Sequence, residues 1–283
     1  MATIAECLRL AERLNDVSDT ARLDAELLLA HCLNKERIFL FTWPEKQLTE
    51  GQQEAFLTAL TRRQQGEPVA HIIGYREFWS LPLRVNSSTL IPRPDTELLV
   101  EAALDLLPEK PQRILDLGTG TGAVALALAS ERPDCQIIAV DKCDDAVKLA
   151  EVNRAHLQLE NVRVLQSDWF SQIAPQNFDI IVSNPPYIDA GDKHLQQGDV
   201  RYEPLSALVA ADDGLADIRA IVQGVIEFNE ISCWLLLEHG WQQAEAVQQI
   251  MQNAGFLNVK TLRDLAGNDR VTLGYFDRSR FFT

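Results

Sequence analysis

The chain has few of the features that would tie it to a membrane, a metal or a disulfide framework. Its five cysteines, Cys7, Cys32, Cys135, Cys143 and Cys233, are odd in number, and no pair has CxxC spacing. That argues against a stapled secreted fold and against a zinc site, and no metal is expected. A reducing, cytoplasmic setting is the simple reading. No apolar run approaches the roughly 20 residues that cross a bilayer, and no signal-peptide core is visible. Positive charge is scarce: 26 Lys and Arg stand against 41 Asp and Glu, for a net charge of −15. Proteins that grip nucleic acid depend on neutralising phosphates, so this balance argues against a direct nucleic-acid partner and suits a basic protein partner. Internal repeats and low-complexity stretches are absent. The five histidines, His31, His71, His156, His194 and His239, share no motif and read as structural or surface residues.

What is present falls into three parts. Residues 1–74 read as a small all-α domain with no cluster of catalytic residue types, a candidate substrate-recognition module. Thr49-Glu50-Gly51-Gln52 has the pattern of a capping box opening a helix. Residues 75–89 carry two short strands and a turn, a β-hairpin linker. From residue 90 to 283 strands alternate with helices, the signature of a mostly parallel sheet. Strands are expected at Arg113–Leu117, Gln136–Asp141, Val162–Gln166, Phe178–Ser183, Cys233–Glu238, and near Asn258–Arg263 and Val271–Tyr275. The last two are separated by too short a gap for a crossover helix, so they should pair antiparallel.

Ile114 to Ala129, ILDLGTGTGAVALALA, carries a glycine loop between a strand and a helix. Gly118, Gly120 and Gly122, with Thr119 and Thr121 between them, allow a tight turn and close approach to a ligand. The helix start that follows suits a carboxylate. Asp141 ends the next strand, where an acid can accept from ribose hydroxyls. The same loop satisfies the relaxed GxGxxG/A fingerprint, so by itself it indicates a nucleoside cofactor without naming it. The DxGxGxG form and the antiparallel last pair tilt the choice from NAD to S-adenosylmethionine. Asp168 and Trp169, after the third strand, could meet an adenine amino group and cover its ring, or serve as a helix cap and a buried indole.

Asn184-Pro185-Pro186-Tyr187 follows the fourth strand and faces the same crevice. Two prolines remove two N–H donors. The Asn184 side-chain oxygen and the Pro185 carbonyl remain as acceptors, and Tyr187 adds a flat face. Such a set suits a planar NH₂ group on an sp² centre. Its two hydrogens can be held while the nitrogen, a poor nucleophile, is aligned with an activated methyl group.

The segment Thr89-Leu90-Ile91-Pro92-Arg93-Pro94-Asp95-Thr96-Glu97, the NPPY motif and the tail Gly267-Asn268-Asp269-Arg270-Val271-Thr272-Leu273 together resemble the HemK/PrmC family of release-factor glutamine N5-methyltransferases. The resemblance covers the whole chain. It implies a class I, Rossmann-like, seven-stranded methyltransferase domain and S-adenosylmethionine as cofactor. It implies that Gly118 to Gly122, Asp141, Trp169 and Asn184 contact that cofactor. It also implies that Asn184 to Tyr187 hold the glutamine of the Gly-Gly-Gln motif in class I peptide-chain release factors. Relatives acting on a ribosomal-protein glutamine share NPPY but vary the Pro-Arg-Pro segment. The residues themselves leave Arg93 and Glu97 open: they line the cofactor entrance, or pair with each other at a helix start. The polar stretch from Asp189 to Glu203 is expected to form a mobile lid. The rival readings are a nucleic-acid amino-methyltransferase acting on a flipped base, a nicotinamide oxidoreductase and a non-catalytic binding module. A soluble, cytoplasmic monomer is expected.

Overall fold

In a computed structural model, residues 1–280 are described, His194 by its backbone alone. The chain forms two compact units. One comprises residues 1–75 with 193–202; the other comprises 76–192 with 203–283.

The first unit is helical: α1 (Ile4–Arg9), α2 (Ala21–Leu33), α3 (Arg37–Thr42), α4 (Glu50–Gln64) and α5 (Val69–Ile73). Two of these begin with reciprocal caps. Thr3 and Glu6 cap α1, and Thr49 and Gln52 cap α4, each side chain accepting from the other residue's backbone N–H. Ile4, Leu14, Leu28, Leu29, Phe56 and Leu60 fill the core. A buried cation anchors the later segment into this unit. Arg63 donates to Asp24 Oδ2 at 2.7 Å and to Asp199 Oδ1 at 2.9 Å. The Tyr202 hydroxyl donates to the Gln65 carbonyl at 2.8 Å. The stretch expected as a lid therefore folds, over residues 193–202, as two 3-10 turns belonging to the helical unit.

The hairpin consists of β1 (Tyr75–Phe78) and β2 (Leu81–Arg84). Its two-residue turn puts Trp79 and Ser80 at φ 53° and 58°. Both values are left-handed, as the strand twist of a tight hairpin requires. Trp79 is held there by bonds from its backbone N–H to Glu97 and from its indole to Glu131. Phe78 and Leu83 are buried in the core of the second unit.

That unit is a seven-stranded sheet: β3 (Arg113–Leu117), β4 (Gln136–Asp141), β5 (Val162–Gln166), β6 (Ile180–Ser183), β7 (Cys233–Glu238), β8 (Leu257–Arg263) and β9 (Asp269–Phe276). The strand order is β5-β4-β3-β6-β7-β9-β8. The first five are parallel, whereas β9 runs antiparallel to both β7 and β8. Helices α6 (Glu97–Leu106), α7 (Ala123–Glu131), α8 (Asp144–Leu157), α10 (Ala216–Phe228) and α11 (Ala244–Asn253) flank it. The four-residue α9 (Ala211–Gly214) is a turn with left-handed residues at its centre. Every residue of α7 from Ala123 to Ala129 is buried, which explains a helix without a polar face. The expected strands and their pairing are found, with β6 starting two residues later and β9 extending further. Helices α3 and α5 carried too few residues to show a period. Among the described residues, no helix is long and apolar enough to cross a membrane.

Candidate active site

The carboxyl ends of β3, β4, β5 and β6 open into one cavity of about 530 Å³. In open parallel sheets this edge is where ligands bind, because the order reverses between β3 and β6. Gly118, Gly120 and Gly122 have φ of 74°, 56° and 86°, values a side chain rarely tolerates. The loop is fixed from below by N–H groups of Gly118 and Thr119, both donating to the Val140 carbonyl at 2.9 Å. Beneath it Asp116, 2% exposed, accepts from Thr119 Oγ1 at 2.6 Å and from the Ala125 N–H at 3.2 Å. Burial pushes the Asp116 carboxyl up to about 7, despite the bonds from Thr119 and Ala125.

Asp141 sits at the end of β4. One of its oxygens accepts from Gly120 N–H and the other from Cys143 N–H, each at 2.9 Å. Burial raises its carboxyl as well. Asp168 and Trp169 follow β5. Trp169 adopts φ 48°, and its ring edge lies 3.5 Å from where a Cβ on Gly118 would stand. Asp168 is exposed and pairs with Lys142 Nζ at 2.8 Å. Gly118, Thr119, Gly120, Thr121, Asp141, Asp168, Trp169, Asn184 and Pro186 all line the cavity. Gly122, Pro185 and Tyr187 do not. Gly122 is the left-handed residue preceding α7, Pro185 is buried, and Tyr187 packs near Gly240.

The NPPY segment is held by two residues distant in sequence: Thr96, inside the signature from Thr89 to Glu97, and Gln243, which no motif flagged. Asn184 Nδ2 donates to Thr96 Oγ1 at 3.2 Å. The Tyr187 carbonyl accepts from Gln243 Nε2 at 2.9 Å, and Gln243 Nε2 also lies 3.2 Å from the Asp213 carbonyl. Gln243 Oε1 accepts from Gly240 N–H at 2.9 Å. Burial pushes the Tyr187 phenol up, with the Glu238 charge adding to it, so the hydroxyl stays protonated. Arg93 and Glu97 do not pair. Arg93 reaches Glu203 at 2.7 Å and lines the cavity, while Glu97 accepts from Trp79. Glu203 also accepts from Ile91 N–H at 2.9 Å, which fixes the Pro92-Arg93-Pro94 segment. These partners are 110 residues or more apart in sequence, too far for spacing to reveal.

Over 92% of its length the chain is 60% identical to the release factor glutamine methyltransferase of Escherichia coli K12, covering 94% of that protein. It belongs to the release factor glutamine methyltransferase family. The Shewanella oneidensis relative is 57% identical over 96% of this chain and 95% of its own length. The Vibrio cholerae one is 52% identical over 93% and 92%. The PrmC N-terminal domain model matches residues 7–74, and the methyltransferase small domain model matches 94–199. Among solved structures, a Pyrococcus furiosus methyltransferase aligns at TM-score 0.53 and 17% identity, covering 69% of this chain and 88% of its own. The hMettl16 catalytic domain aligns at 0.57 and 14%, covering 81% and 82%. Both show the fold alone.

The enzyme's cofactor is S-adenosylmethionine, and the cavity fits it. Its size is that of a small-molecule site. The glycine loop admits close approach, and Asp141 offers a carboxylate to hydroxyl donors. Thr89 Oγ1, buried in the cavity wall, has no hydrogen-bond partner among the described residues. A bound polar ligand would satisfy it.

Proposed function

We propose that this methyltransferase acts on the N5 side-chain amide nitrogen of the glutamine in the Gly-Gly-Gln motif of class I peptide-chain release factors. The observation that carries the reading is Asn184 at the tip of β6. Its NH₂ edge is committed to Thr96, which leaves the Oδ1 edge for a substrate amide. Pro185, beside it, has a carbonyl and no N–H.

S-adenosylmethionine supplies an electrophilic methyl group on a sulfonium. The chain's own residues do the rest. Asn184 Oδ1 and the Pro185 carbonyl each accept one amide hydrogen, and so hold the nitrogen in line. These fixed dipoles also meet the positive charge that grows on the nitrogen as the new N–C bond forms. As the N–C bond forms, the methyl's bond to sulfur breaks to leave a neutral thioether, one of the two held N–H groups gives its proton to water, and the product is the N-methyl amide. Gly118 to Gly122 cradle the methionine part, Asp141 takes the ribose hydroxyls, and Asp168 with Trp169 take the adenine. Tyr187 and Pro186 wall the substrate side.

The N-terminal helical segment, residues 1–74, serves recognition of the release factor, and residues 90–283 carry catalysis; residues 75–89, the hairpin, join them along the chain. The net charge of −15 suits a protein substrate over nucleic acid, and the enzyme acts in the cytoplasm as a monomer. The test is mass spectrometry of a purified class I release factor incubated with the enzyme and S-adenosylmethionine. One added methyl on the Gly-Gly-Gln glutamine, absent with Asn184→Ala, is expected. A wild-type rate with Asn184→Ala would refute the role of Asn184. No methyl on that glutamine, with cofactor bound, would move the search to ribosomal proteins and RNA.

A further inference from the structure

The NPPY segment leaves the sheet between two other stretches of chain, and each carries a large apolar side chain in the open. On one side, Ile188 forms a parallel bridge with Val209. The Ile188 N–H donates to the Leu208 carbonyl at 2.9 Å, and the Ile188 carbonyl accepts from Ala210 N–H at 3.0 Å. This stretch opens with a 3-10 turn, Leu205–Ala207. Ser206 and Ala207 line the cavity, while Leu205 is 63% exposed. On the other side, a Cβ on Gly240 would stand 3.7 Å from Tyr187 Cδ2, and Gln243 Nε2 donates to the Tyr187 carbonyl at 2.9 Å. Trp241, between these two residues, is 58% exposed. Adjacent Cα atoms stand about 3.8 Å apart, so the Trp241 backbone lies within roughly 9 Å of the Tyr187 ring.

We propose that Leu205 and Trp241 form a docking platform for the stretch of the protein substrate that flanks the methylated glutamine. The inference rests on the reading of this site as one for the Gly-Gly-Gln glutamine, and extends it to the chain around that motif.

A single exposed apolar side chain is ordinary. These two are set apart by place: they stand on the stretches that grip Tyr187 and Ile188, at the carboxyl edge of the sheet where the cavity opens. A glutamine of another protein enters the cavity by its side chain, so the chain on either side of it lies on the rim. The two glycines before it present no side chain for a pocket to select. What they offer is bare peptide backbone, which can lie close against the face of an indole. Tryptophan carries much of the binding energy at protein interfaces, because it covers a large area with few rotatable bonds. Leu205 supplies an apolar contact on the opposite flank of NPPY, for the residues on the other side of the glutamine. The rim is also acidic. Asp189 and Asp213 are both exposed; Asp189 follows Ile188, and the Asp213 carbonyl lies 3.2 Å from Gln243 Nε2. A basic flanking sequence suits such a rim.

The experiment measures kcat and KM for a class I release factor with wild type, Leu205→Ala, Trp241→Ala and the double variant. Ile231→Ala is the control, since Ile231 is 38% exposed and precedes β7, at the opposite edge of the sheet. Melting temperature and the dissociation constant for S-adenosylmethionine are measured for each protein. The expected result is a KM raised about tenfold or more by Trp241→Ala, and by about threefold by Leu205→Ala. Values of kcat, melting temperature and cofactor affinity stay near wild type, because the lost contacts are made equally in the ground and transition states. Ile231→Ala leaves KM unchanged. Trp241→p-benzoylphenylalanine then identifies the occupant by photocross-linking and mass spectrometry. The expected cross-link falls within about five residues of the glutamine, roughly 17 Å of extended chain. An unchanged KM in the double variant overturns the proposal. So does a cross-link to a distant part of the factor, to a second copy of this enzyme, or to nothing. A wild-type enzyme that puts no methyl on the Gly-Gly-Gln glutamine would sink the underlying reading of the site, and the platform with it.

Discussion

Gly214→Ala tests whether the placement of the NPPY segment, not its presence, sets the rate. Gly214 is buried, with φ 80°, and ends a turn in which Asp212 and Asp213 are also left-handed, at φ 56° and 54°. A Cβ added there would stand 2.1 Å from the Tyr187 carbonyl oxygen and 2.8 Å from Gln243 Nε2. The first is backbone and cannot swing aside. An alanine held left-handed costs roughly 1–2 kcal/mol, and forced overpacking typically adds about 1–3 kcal/mol. The expected destabilisation is therefore about 2–5 kcal/mol, or a fall in Tm of roughly 4–20 °C for a unit of this size. To restore ordinary contact the Tyr187 carbonyl must recede by roughly 1 Å. The two stiff prolines pass that shift to Asn184, and a displacement of that size can cost about 100-fold in rate. Cofactor affinity should change little, because the glycine loop and Asp141 lie on other strands. Thermal denaturation, cofactor titration and single-turnover methylation of a release factor make the three measurements. Gly51→Ala is the control: nothing lies within 4 Å of its added Cβ, and in α4 it should be neutral or slightly stabilising. If Gly214→Ala folds with unchanged Tm and methylates at the wild-type rate, the clamp on Tyr187 has no role.

Two further outcomes are expected. Asp141→Ala removes the acceptor that the ribose hydroxyls need. Calorimetry should show S-adenosylmethionine binding weakened by about 2–3 kcal/mol, roughly 30- to 150-fold, with turnover at saturating cofactor changed only a few-fold; unchanged affinity would contradict the assignment. Arg63→Met leaves Asp24 buried without its cation, so the helical unit should lose about 3 kcal/mol. With it should go efficient methylation of intact release factor, while cofactor affinity stays put; full activity on the intact protein in a destabilised variant would count against a recognition role for that unit.

Local patterns were legible because they act over short distances. The capping box at Thr49, the glycine loop from Gly118 to Gly122, the NPPY run and the short β8–β9 connection each depend on residues a few positions apart. A backbone that must turn left-handed, or a strand pair with no room for a crossover, leaves a mark in the sequence itself. Helices α3 and α5, of six and five residues, left none, since so few positions cannot show a period. The segment from Asp189 to Glu203 read as a free polar lid because Asp199 looks like any surface acid until Arg63 is seen beside it.

The sequence by itself therefore determined the class of fold, the cofactor loop and the acceptor-rich tip of β6. Only the tertiary structure decided how that tip is held. Thr96, Gln243 and Gly214 come from three separate segments, and no spacing links them to Asn184. Their roles arise when the fold brings Thr96 and Gln243 within hydrogen-bond reach of the NPPY segment, and when a missing Cβ lets one backbone approach another. Hydrogen-bond direction and close packing are properties of neighbours in space, and the chain order does not record them.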